Sequence, residues 1–311
     1  MAGLEALQTR LSRVESLRSV VRTMKAMAMV NQHTFEKAHR STSAYSATVE
    51  LALQAVLQQR RFSAAAPGPL QQQPESQNFS SVVVVIFGSD HGLCGAFNEQ
   101  IVSHARAVVQ GLNPLPQRVR CLIVGTRLLP LMAPNGLSAD ECLALPASLS
   151  GVPELIDQLL LAIPCSPSNP ELCSLGLPER ILLVHHRPAG QASTSPWFSQ
   201  LLPLEQAWLS ELEQRPWAST SQPACSTPWE TLFPLVVEEY LGICLHQAAV
   251  ASMASENIAR LLAMHAAESN IDERLARLRQ DYRQLRQGVI TDELLDIVSG
   301  FEALRQQNGN E

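Results

Sequence analysis

The prolines of this chain are confined to its middle. All 20 lie between Pro67 and Pro234, so the first 66 residues and the last 77 contain none. Proline removes a backbone hydrogen-bond donor and clashes with the preceding helical turn, so its absence permits a long helix. The sequence therefore predicts one helix over residues 3–62, a second over 229–305, and a compact domain between them.

An apolar stripe runs along the N-terminal segment. Its members recur every three or four residues, which places them on one helical face: Leu4, Leu7, Leu11, Val14, Leu17, Val21, Met24 and Ala28. A helix over residues 3–62 would span about 90 Å at a rise near 1.5 Å per residue. One small domain cannot cover such a length. The stripe therefore needs a second long helix, as in a coiled coil.

A heptad seam marks the C-terminal segment and then slips by one residue. Two runs each follow steps of four and three: Ile271, Leu275, Leu278, Tyr282, Leu285 and Val289, then Ile290, Leu294, Ile297, Phe301 and Leu304. Gly288 lies beside the slip, which rotates the apolar stripe. The simplest partner is the N-terminal helix, antiparallel, because the domain between them returns the chain. Residues 297–304 would extend past that partner, which predicts an external apolar contact.

The middle of the chain alternates strand and helix patterns. Residues 63–80 are rich in Pro and Gln and predict a loop. Apolar, mostly β-branched runs and amphipathic runs follow it. They predict strands at 81–87, 120–125, 180–185 and 198–204, with helices at 96–111 and 152–163. This alternation predicts a partly parallel α/β sheet.

The loop Gly88–Gly95 after the first strand is the main candidate for a ligand loop. It has neither the Gly-Lys-Ser/Thr of a Walker A loop nor the G-x-G-x-x-G spacing of a dinucleotide site. A tight strand-to-helix turn that needs glycine dihedrals explains it. His91 and Cys94 could form a thiol–imidazole pair, but their proximity in one loop does not establish catalysis. His185 and His186 should point to opposite faces of a strand, which prevents them from chelating one metal together.

Composition argues against several classes of protein. A net charge of −6 and a pI near 5.8 give no support for nucleic-acid binding. The seven cysteines include no C-x-x-C motif, so neither a zinc site nor a disulfide framework is indicated. Cys165 and Cys173 flank a Pro/Ser loop and could form a redox pair, with reduced thiols as the alternative. The first residues lack the features of a signal peptide, and no run of 18 apolar residues predicts a membrane span.

The N-terminal segment has a charge of its own. Residues 1–40 carry seven Lys and Arg residues against three acids, a net charge of +4. Such a helix could face an acidic partner, or its basic face could simply be solvated.

Three blocks of the sequence, and a weaker fourth, resemble the γ subunit of F-type (rotary) ATP synthases. The resemblance covers nearly the whole chain. In order of their place in the chain, the blocks run from Arg13 to Val30, Ser89 to Asn98, Gln200 to Leu204 (the weaker one) and Ser255 to Gly300. The second block is similar to the family's Ser-Asp-Arg-Gly-Leu-Cys-Gly-x-hydrophobic-Asn. The third strong block, which ends Ile-Thr-x-Glu-Leu-x-Asp-Ile-Val-Ser-Gly, is specific enough to identify the family by itself.

The resemblance implies a fold and a function. The expected fold is an antiparallel two-helix coiled coil formed by the chain termini, with a Rossmann-like α/β domain inserted between them. The implied parts are a helix at 1–62, a loop at 63–80, the α/β domain at 81–228 and a helix at 229–311. The implied function is that of the central-stalk rotor, which couples ion flow to rotational ATP synthesis or hydrolysis in the α3β3 hexamer. The subunit is expected to be non-catalytic and to hold no cofactor or metal.

The resemblance also implies partners. They are the α and β subunits, the ε subunit and the membrane c-ring, at the cytoplasmic face of the bacterial inner membrane. Six residues match family positions that contact α and β or take part in coupling: Lys25, Met27, Arg260, Arg286, Gln287 and Thr291. The family places Lys25 and Met27 near an acidic lever region of β. Taken alone, Lys25 could be only solvated and Met27 only a core residue.

The chain also departs from the family pattern. His91 stands where the family usually has Arg, and Lys25 and Lys37 are the only lysines. These departures point to a divergent, alternative bacterial F-type (N-type) ATPase, and they leave the coupling ion, H+ or Na+, open. Two alternatives come from other classes of protein. One is a coiled-coil scaffold with an α/β binding head, and the other is a Rossmann-like enzyme with helical extensions.

Overall fold

Long helices occupy both ends of the chain. The computed structural model describes residues 2–60, 81–112, 116, 118–163, 180–190, 193–217 and 226–308. The predicted loop at 63–80 and the thiols of Cys165 and Cys173 lie outside these residues. The described helices are α1 (Ala2–Arg60), α2 (Phe97–Gln110), α3 (Leu129–Met132), α4 (Val152–Ala162), α5 (Gln206–Gln214) and α6 (Trp229–Asn308). None of them, over the described residues, combines the length and the hydropathy that crossing a bilayer requires.

Over the described residues, the strands form a five-stranded sheet in the order β3-β2-β1-β4-β5. They are β1 (Ser81–Phe87), β2 (Arg118–Val124), β3 (Ala139–Leu143), β4 (Arg180–Pro188) and β5 (Thr194–Leu202). The pairs β1–β2, β1–β4 and β2–β3 are parallel, whereas β4 and β5 form an antiparallel hairpin. The predicted α/β sheet of partly parallel strands, with long terminal helices, is confirmed.

Strand β1 is central, and its sequence shows why. Val83, Val85 and Phe87 join one buried cluster, and Val82 and Ile86 join the other. Because successive side chains of a strand point to opposite faces, a strand covered on both sides must be apolar throughout. Fully burying one valine contributes roughly 1.5–3 kcal/mol, so the apolar side chains of this strand stabilise the sheet substantially.

Helices cover both faces of the sheet. The first face packs against residues of α1, α4, α5 and α6, including Leu53, Leu159 and Leu241. The second face packs against α2 and α3 through Ile101 and Met132. This arrangement leaves the carboxyl edge of the parallel strands as the place where loops converge.

The chain divides into two compact units. The first contains Met1–Met27 and Leu261–Glu311, and the second contains Ala28–Arg260. The sheet and the loop Gly88–Gly95 belong to the second unit. The first unit consists of the N-terminal part of α1 and the C-terminal part of α6.

Candidate functional site

The loop Gly88–Gly95 joins β1 to α2 at the carboxyl edge of the sheet. The chain adds β2 and β3 on one side of β1 and then places β4 on the other, so the strand order reverses beside β1. In open α/β sheets, ligands bind in the crevice at such a reversal. The loop is therefore where a cofactor site would be expected.

The carboxylate of Asp90 binds two backbone donors at this edge. Its Oδ1 accepts a hydrogen bond from the backbone N–H of Thr126 at 2.6 Å, and its Oδ2 accepts one from that of Leu145 at 2.7 Å. These two residues follow β2 and β3. The carboxylate therefore ties the beginning of the loop to the ends of both strands.

A buried polar cluster joins two residues of the loop, Ser89 and Cys94, to Asn98 of α2. The Oδ1 of Asn98 accepts from the backbone N–H of Ser89 at 3.1 Å, and its Nδ2 donates to Ser89 Oγ at 2.8 Å. The Sγ of Cys94 contacts Ser89 Oγ at 3.7 Å and the backbone oxygen of His91 at 3.8 Å. Burial raises the pKa of the Cys94 thiol, which opposes a nucleophilic role. The sulfur contacts the backbone oxygen of His91, and its raised pKa does not favour the thiol–imidazole pair considered from the sequence.

Arg260 joins α6 to this loop. Its Nη2 lies 3.4 Å from the backbone oxygens of both His91 and Gly92, and it forms an ion pair with Glu256 one helical turn earlier. The side chains of Arg260 and Glu256 are only 12% and 7% exposed. Burial raises the pKa of Glu256, and the neighbouring Arg260 guanidinium acts in the opposite direction. The family position implicated in coupling is thus filled by an arginine that faces its own chain.

Leu93 is the functional candidate that sequence reasoning missed. Among the described residues other than glycine, it alone has a positive φ, at 65°. Its side chain is 58% exposed, although it is apolar. A left-handed conformation costs an L-residue roughly 1–2 kcal/mol, so the surrounding structure must impose it. The sequence feature that could have identified Leu93 is the presence of a large apolar residue between Gly92 and Gly95 in a polar turn.

Ion pairs connect α1 and α6 in the first unit. Glu268 Oε1 binds Arg22 Nε at 2.7 Å and Glu268 Oε2 binds Lys25 Nζ at 2.9 Å. The hydrogen bonds from Lys25 and then Arg22 lower the pKa of Glu268 to about 2. Lys25 Nζ also lies 3.2 Å from His265 Nδ1. The ammonium group of Lys25 is therefore neither free nor only solvated, because it is bound within the chain.

The remaining predicted contact residues are exposed. Met27 is 61% exposed, so its reading as a core residue is wrong for the isolated chain. Arg286, Gln287 and Thr291 also face solvent, and the Oγ1 of Thr291 donates to the backbone oxygen of Gln287 at 2.9 Å. Exposed apolar side chains of α6 accompany them: Leu285, Ile290, Leu294, Leu295, Ile297 and Val298. For the predicted apolar tip at 297–304, the side chains from residue 300 onward lie outside the described residues.

The two adjacent histidines of β4 point to opposite faces, as predicted. His185 Nε2 accepts a hydrogen bond from Arg187 Nε at 3.3 Å on the face covered by α1. His186 stacks on Phe97 of α2, with 4.1 Å between ring centroids. Burial lowers both pKa values, that of His185 to about 3. Across the part of the chain that the structure describes, no group of three or more His, Cys, Asp or Glu side chains is arranged to hold a metal ion.

Comparison with known proteins gives a consistent result. A family model described as ATP synthase matches residues 3–304. The chain is 24% identical over 307 residues to the ATP synthase gamma chain of Sulfurovum sp.. It is 27% identical over 312 residues to the ATP synthase gamma chain of Cupriavidus pinatubonensis. In both cases the match covers 98% of this chain and 100% of the relative.

Solved structures share the fold. A chain from the OSCP/F1/c-ring structure of the Euglena gracilis mitochondrial ATP synthase aligns with a TM-score of 0.60 and 17% identity, covering 97% of this chain and 95% of that one. A chain from the central stalk/c-ring structure of the Tetrahymena thermophila mitochondrial ATP synthase aligns with a TM-score of 0.55 and 17% identity. That match covers 80% of this chain and 99% of the other.

Proposed function

The chain belongs to the ATP synthase family, and on that premise we propose that it is the central-stalk rotor, the γ subunit, of an F-type ATP synthase. In this role it couples transmembrane ion flow to rotational ATP synthesis or hydrolysis in the α3β3 hexamer. The observation that carries the proposal is the family match over residues 3–304. The full-length similarity to proteins named ATP synthase gamma chain supports it.

The finer fold proposed for this role is an antiparallel coiled coil of the two termini. Two ion pairs support it, Arg279–Glu15 at 2.7 Å and Lys25–Glu268 at 2.9 Å. A residue nearer the start of α1 pairs with one nearer the end of α6, which is the order that antiparallel helices require. Ion pairs at the flanks of an apolar seam set helix register and orientation. A seam of this kind gives the stalk a defined surface to present to its partners.

The proposed domain limits follow the same division. The coiled-coil helices comprise residues 1–62 and 229–311, the connecting loop comprises 63–80, and the Rossmann-like α/β domain comprises 81–228. Support comes from α1 and α6, which occupy most of the two helical ranges, and from the five-stranded sheet.

The proposed contact surface for α and β is exposed and uneven. It consists, in the first unit, of Lys25, Met27, Arg286, Gln287 and Thr291. Two of the three N–H donors of the Lys25 ammonium are used by Glu268 and His265, which leaves one for a partner subunit. A rotor whose surface differs around its axis binds each β conformation with a different free energy. Rotation then redistributes nucleotide affinity among the three catalytic sites.

We propose no chemistry for the chain itself. Asp90 already binds two backbone donors at the carboxyl edge of the sheet, which agrees with a non-catalytic role. The further proposed partners are the ε subunit and the membrane c-ring. The proposed location is the cytoplasmic face of the bacterial inner membrane, as a peripheral part of the complex. Similar solved chains come from structures described as a central stalk with a c-ring and as a rotor.

Reconstitution tests this proposal. Purified chain is mixed with the α and β subunits of the same bacterium, and the product is separated by size exclusion and weighed by native mass spectrometry. The expected product is an α3β3γ complex that hydrolyses ATP. If the chain stays separate from α and β, the rotor function is refuted. Calorimetry with ATP and NAD on the isolated chain tests the enzyme alternative, for which measurable binding is required.

A further inference from the structure

We infer that Arg260 and Glu256 are positioning residues that hold the loop Gly88–Gly95 against α6 and so fix Leu93 at the surface. We call Arg260, Glu256 and the backbone oxygens of His91 and Gly92 the loop clamp. The inference rests on the proposed rotor function, because a fixed surface residue matters only if a partner pushes against it.

Burial distinguishes the loop clamp from an ordinary helical ion pair. Helix α6 contains a second pair with the same spacing, Arg277 and Glu273, whose side chains are 75% and 63% exposed. Exposed pairs of this kind contribute little to stability. Arg260 and Glu256 are nearly buried, where an unpaired charge would be strongly unfavourable. The buried carboxylate therefore fixes the guanidinium in the one orientation in which it also reaches the loop.

The loop is held from two sides. Asp90 ties its beginning to the backbone N–H groups of Thr126 and Leu145, beyond β2 and β3. Arg260 ties the next residues, His91 and Gly92, to α6. An arginine suits this task because its planar fork presents several donors in a fixed geometry.

Leu93 follows directly after the last clamped residue. Its positive φ is unfavourable and its side chain is exposed, so neither local conformation nor core burial explains why it is held there. Strained residues of this kind persist where the surroundings over-determine them, and they concentrate at functional positions. The loop clamp supplies the constraint, and Leu93 is the residue that it presents.

Thiol labelling of the isolated chain tests the constraint without any partner. Cys94 is a buried residue of the loop itself, and Cys121 is buried in β2. Alkylation of each by N-ethylmaleimide is followed by mass spectrometry of the peptides. Arg260→Gln should accelerate labelling of Cys94 about tenfold or more, as expected for the loss of a charge-assisted hydrogen bond, and leave Cys121 unchanged. Arg277→Gln is the matched control and should change neither rate.

Two further results decide the outcome. Arg260→Lys keeps the charge and the ion pair but not the fork, so Cys94 labelling should rise to an intermediate rate. This conservative variant also keeps the test decisive if Arg260→Gln fails to fold. The inference is overturned if Cys94 labelling is unchanged in both variants. It is equally overturned if Cys94 and Cys121 accelerate together, because that result reports global unfolding.

The second arm uses the assembled α3β3γ complex. Leu93→Ala and Arg260→Gln should each lower kcat for ATP hydrolysis, and the double variant should be no worse than the more severe single variant. Such non-additivity is expected if Arg260 acts through Leu93. Additive losses would overturn the inference. If the wild-type chain forms no such complex, the rotor function fails, and the labelling of Cys94 still decides whether the loop clamp exists.

Discussion

The buried imidazole of His185 makes the stability of the second unit sensitive to acid. Burial first, and then the Arg187 guanidinium, lower its pKa to about 3. The other titratable groups acting on it, His186 of β4 and His39 of α1, also oppose its protonation. An exposed histidine in the unfolded chain titrates near 6.5. As the pH falls below 6.5, this imidazole binds a proton in the unfolded state but not in the folded state. The free energy of unfolding therefore decreases until the pH reaches about 3.

The size of this effect follows from the two pKa values. Each pH unit between them costs about 1.36 kcal/mol for a single group. Lowering the pH from 7 to 5 should therefore remove about 2 kcal/mol from the free energy of unfolding through His185 alone. Burial also lowers the pKa values of His39, His186 and His246, which act in the same direction. Because domains are stable by only about 5–15 kcal/mol, this loss should be readily measurable.

Urea unfolding at pH 7.5, 6.5, 5.5 and 5.0, followed by circular dichroism, measures the effect. The variant His185→Gln retains a side-chain oxygen that can accept from Arg187 Nε but cannot bind a proton. Between pH 6.5 and 5, its free energy of unfolding should fall less steeply than that of the wild type, because one fewer proton is bound on unfolding. His33→Gln, at an exposed position on α1, is the matched control for removal of a histidine. Equal slopes for His185→Gln and wild type would show that His185 is not held neutral by burial.

Three further outcomes are expected. Leu93→Gly should raise the free energy of unfolding by about 1 kcal/mol in urea, because glycine accepts a positive φ, and should lower the ATPase rate of α3β3γ; a destabilised variant would contradict the assigned strain. Glu268→Gln should lower the thermal midpoint more at low salt than in 1 M salt, because its ion pairs with Arg22 and Lys25 are only partly buried and are screened; a loss that is independent of salt would point to packing instead. Asp90→Asn should cost about 2 kcal/mol in urea, since one backbone N–H keeps only a neutral acceptor and the other faces an amide NH2 group that cannot accept; an unchanged midpoint would show that the loop does not depend on that carboxylate.

The sequence predicted the elements whose pattern is set by local physics. The run Val82–Ile86 is apolar because both of its faces are covered. The absence of proline allowed the long terminal helices, except that α6 includes Pro234 near its start. Strand β3 was not predicted, because the residues Ala139–Leu143 are only partly buried and contain no β-branched run. Strand β5 begins at Thr194, earlier than predicted, because its first half is a largely exposed edge. Its pairing with β4 is a tertiary effect that periodicity does not report.

The candidate site was less accessible from sequence for the same reason. Arg260 and Glu256 have the same spacing as Arg277 and Glu273, and only burial separates the two pairs. Asp90 binds backbone donors that lie 36 and 55 residues further along the chain. The family resemblance marked Arg260 as a coupling residue without indicating that it faces its own loop. Contacts over such separations depend on the fold, not on local pattern.

The hydrogen bonds at the carboxyl edge suit a protein that transmits force. Asp90 binds backbone N–H groups beyond β2 and β3, and Arg260 secures the adjoining turn from α6. These contacts come from the chain itself and do not require a bound small molecule. A rotor surface must push its partners in every turnover, so its shape cannot depend on occupancy of a site. Side chains of the chain thus fasten the loop to the sheet and to the long C-terminal helix.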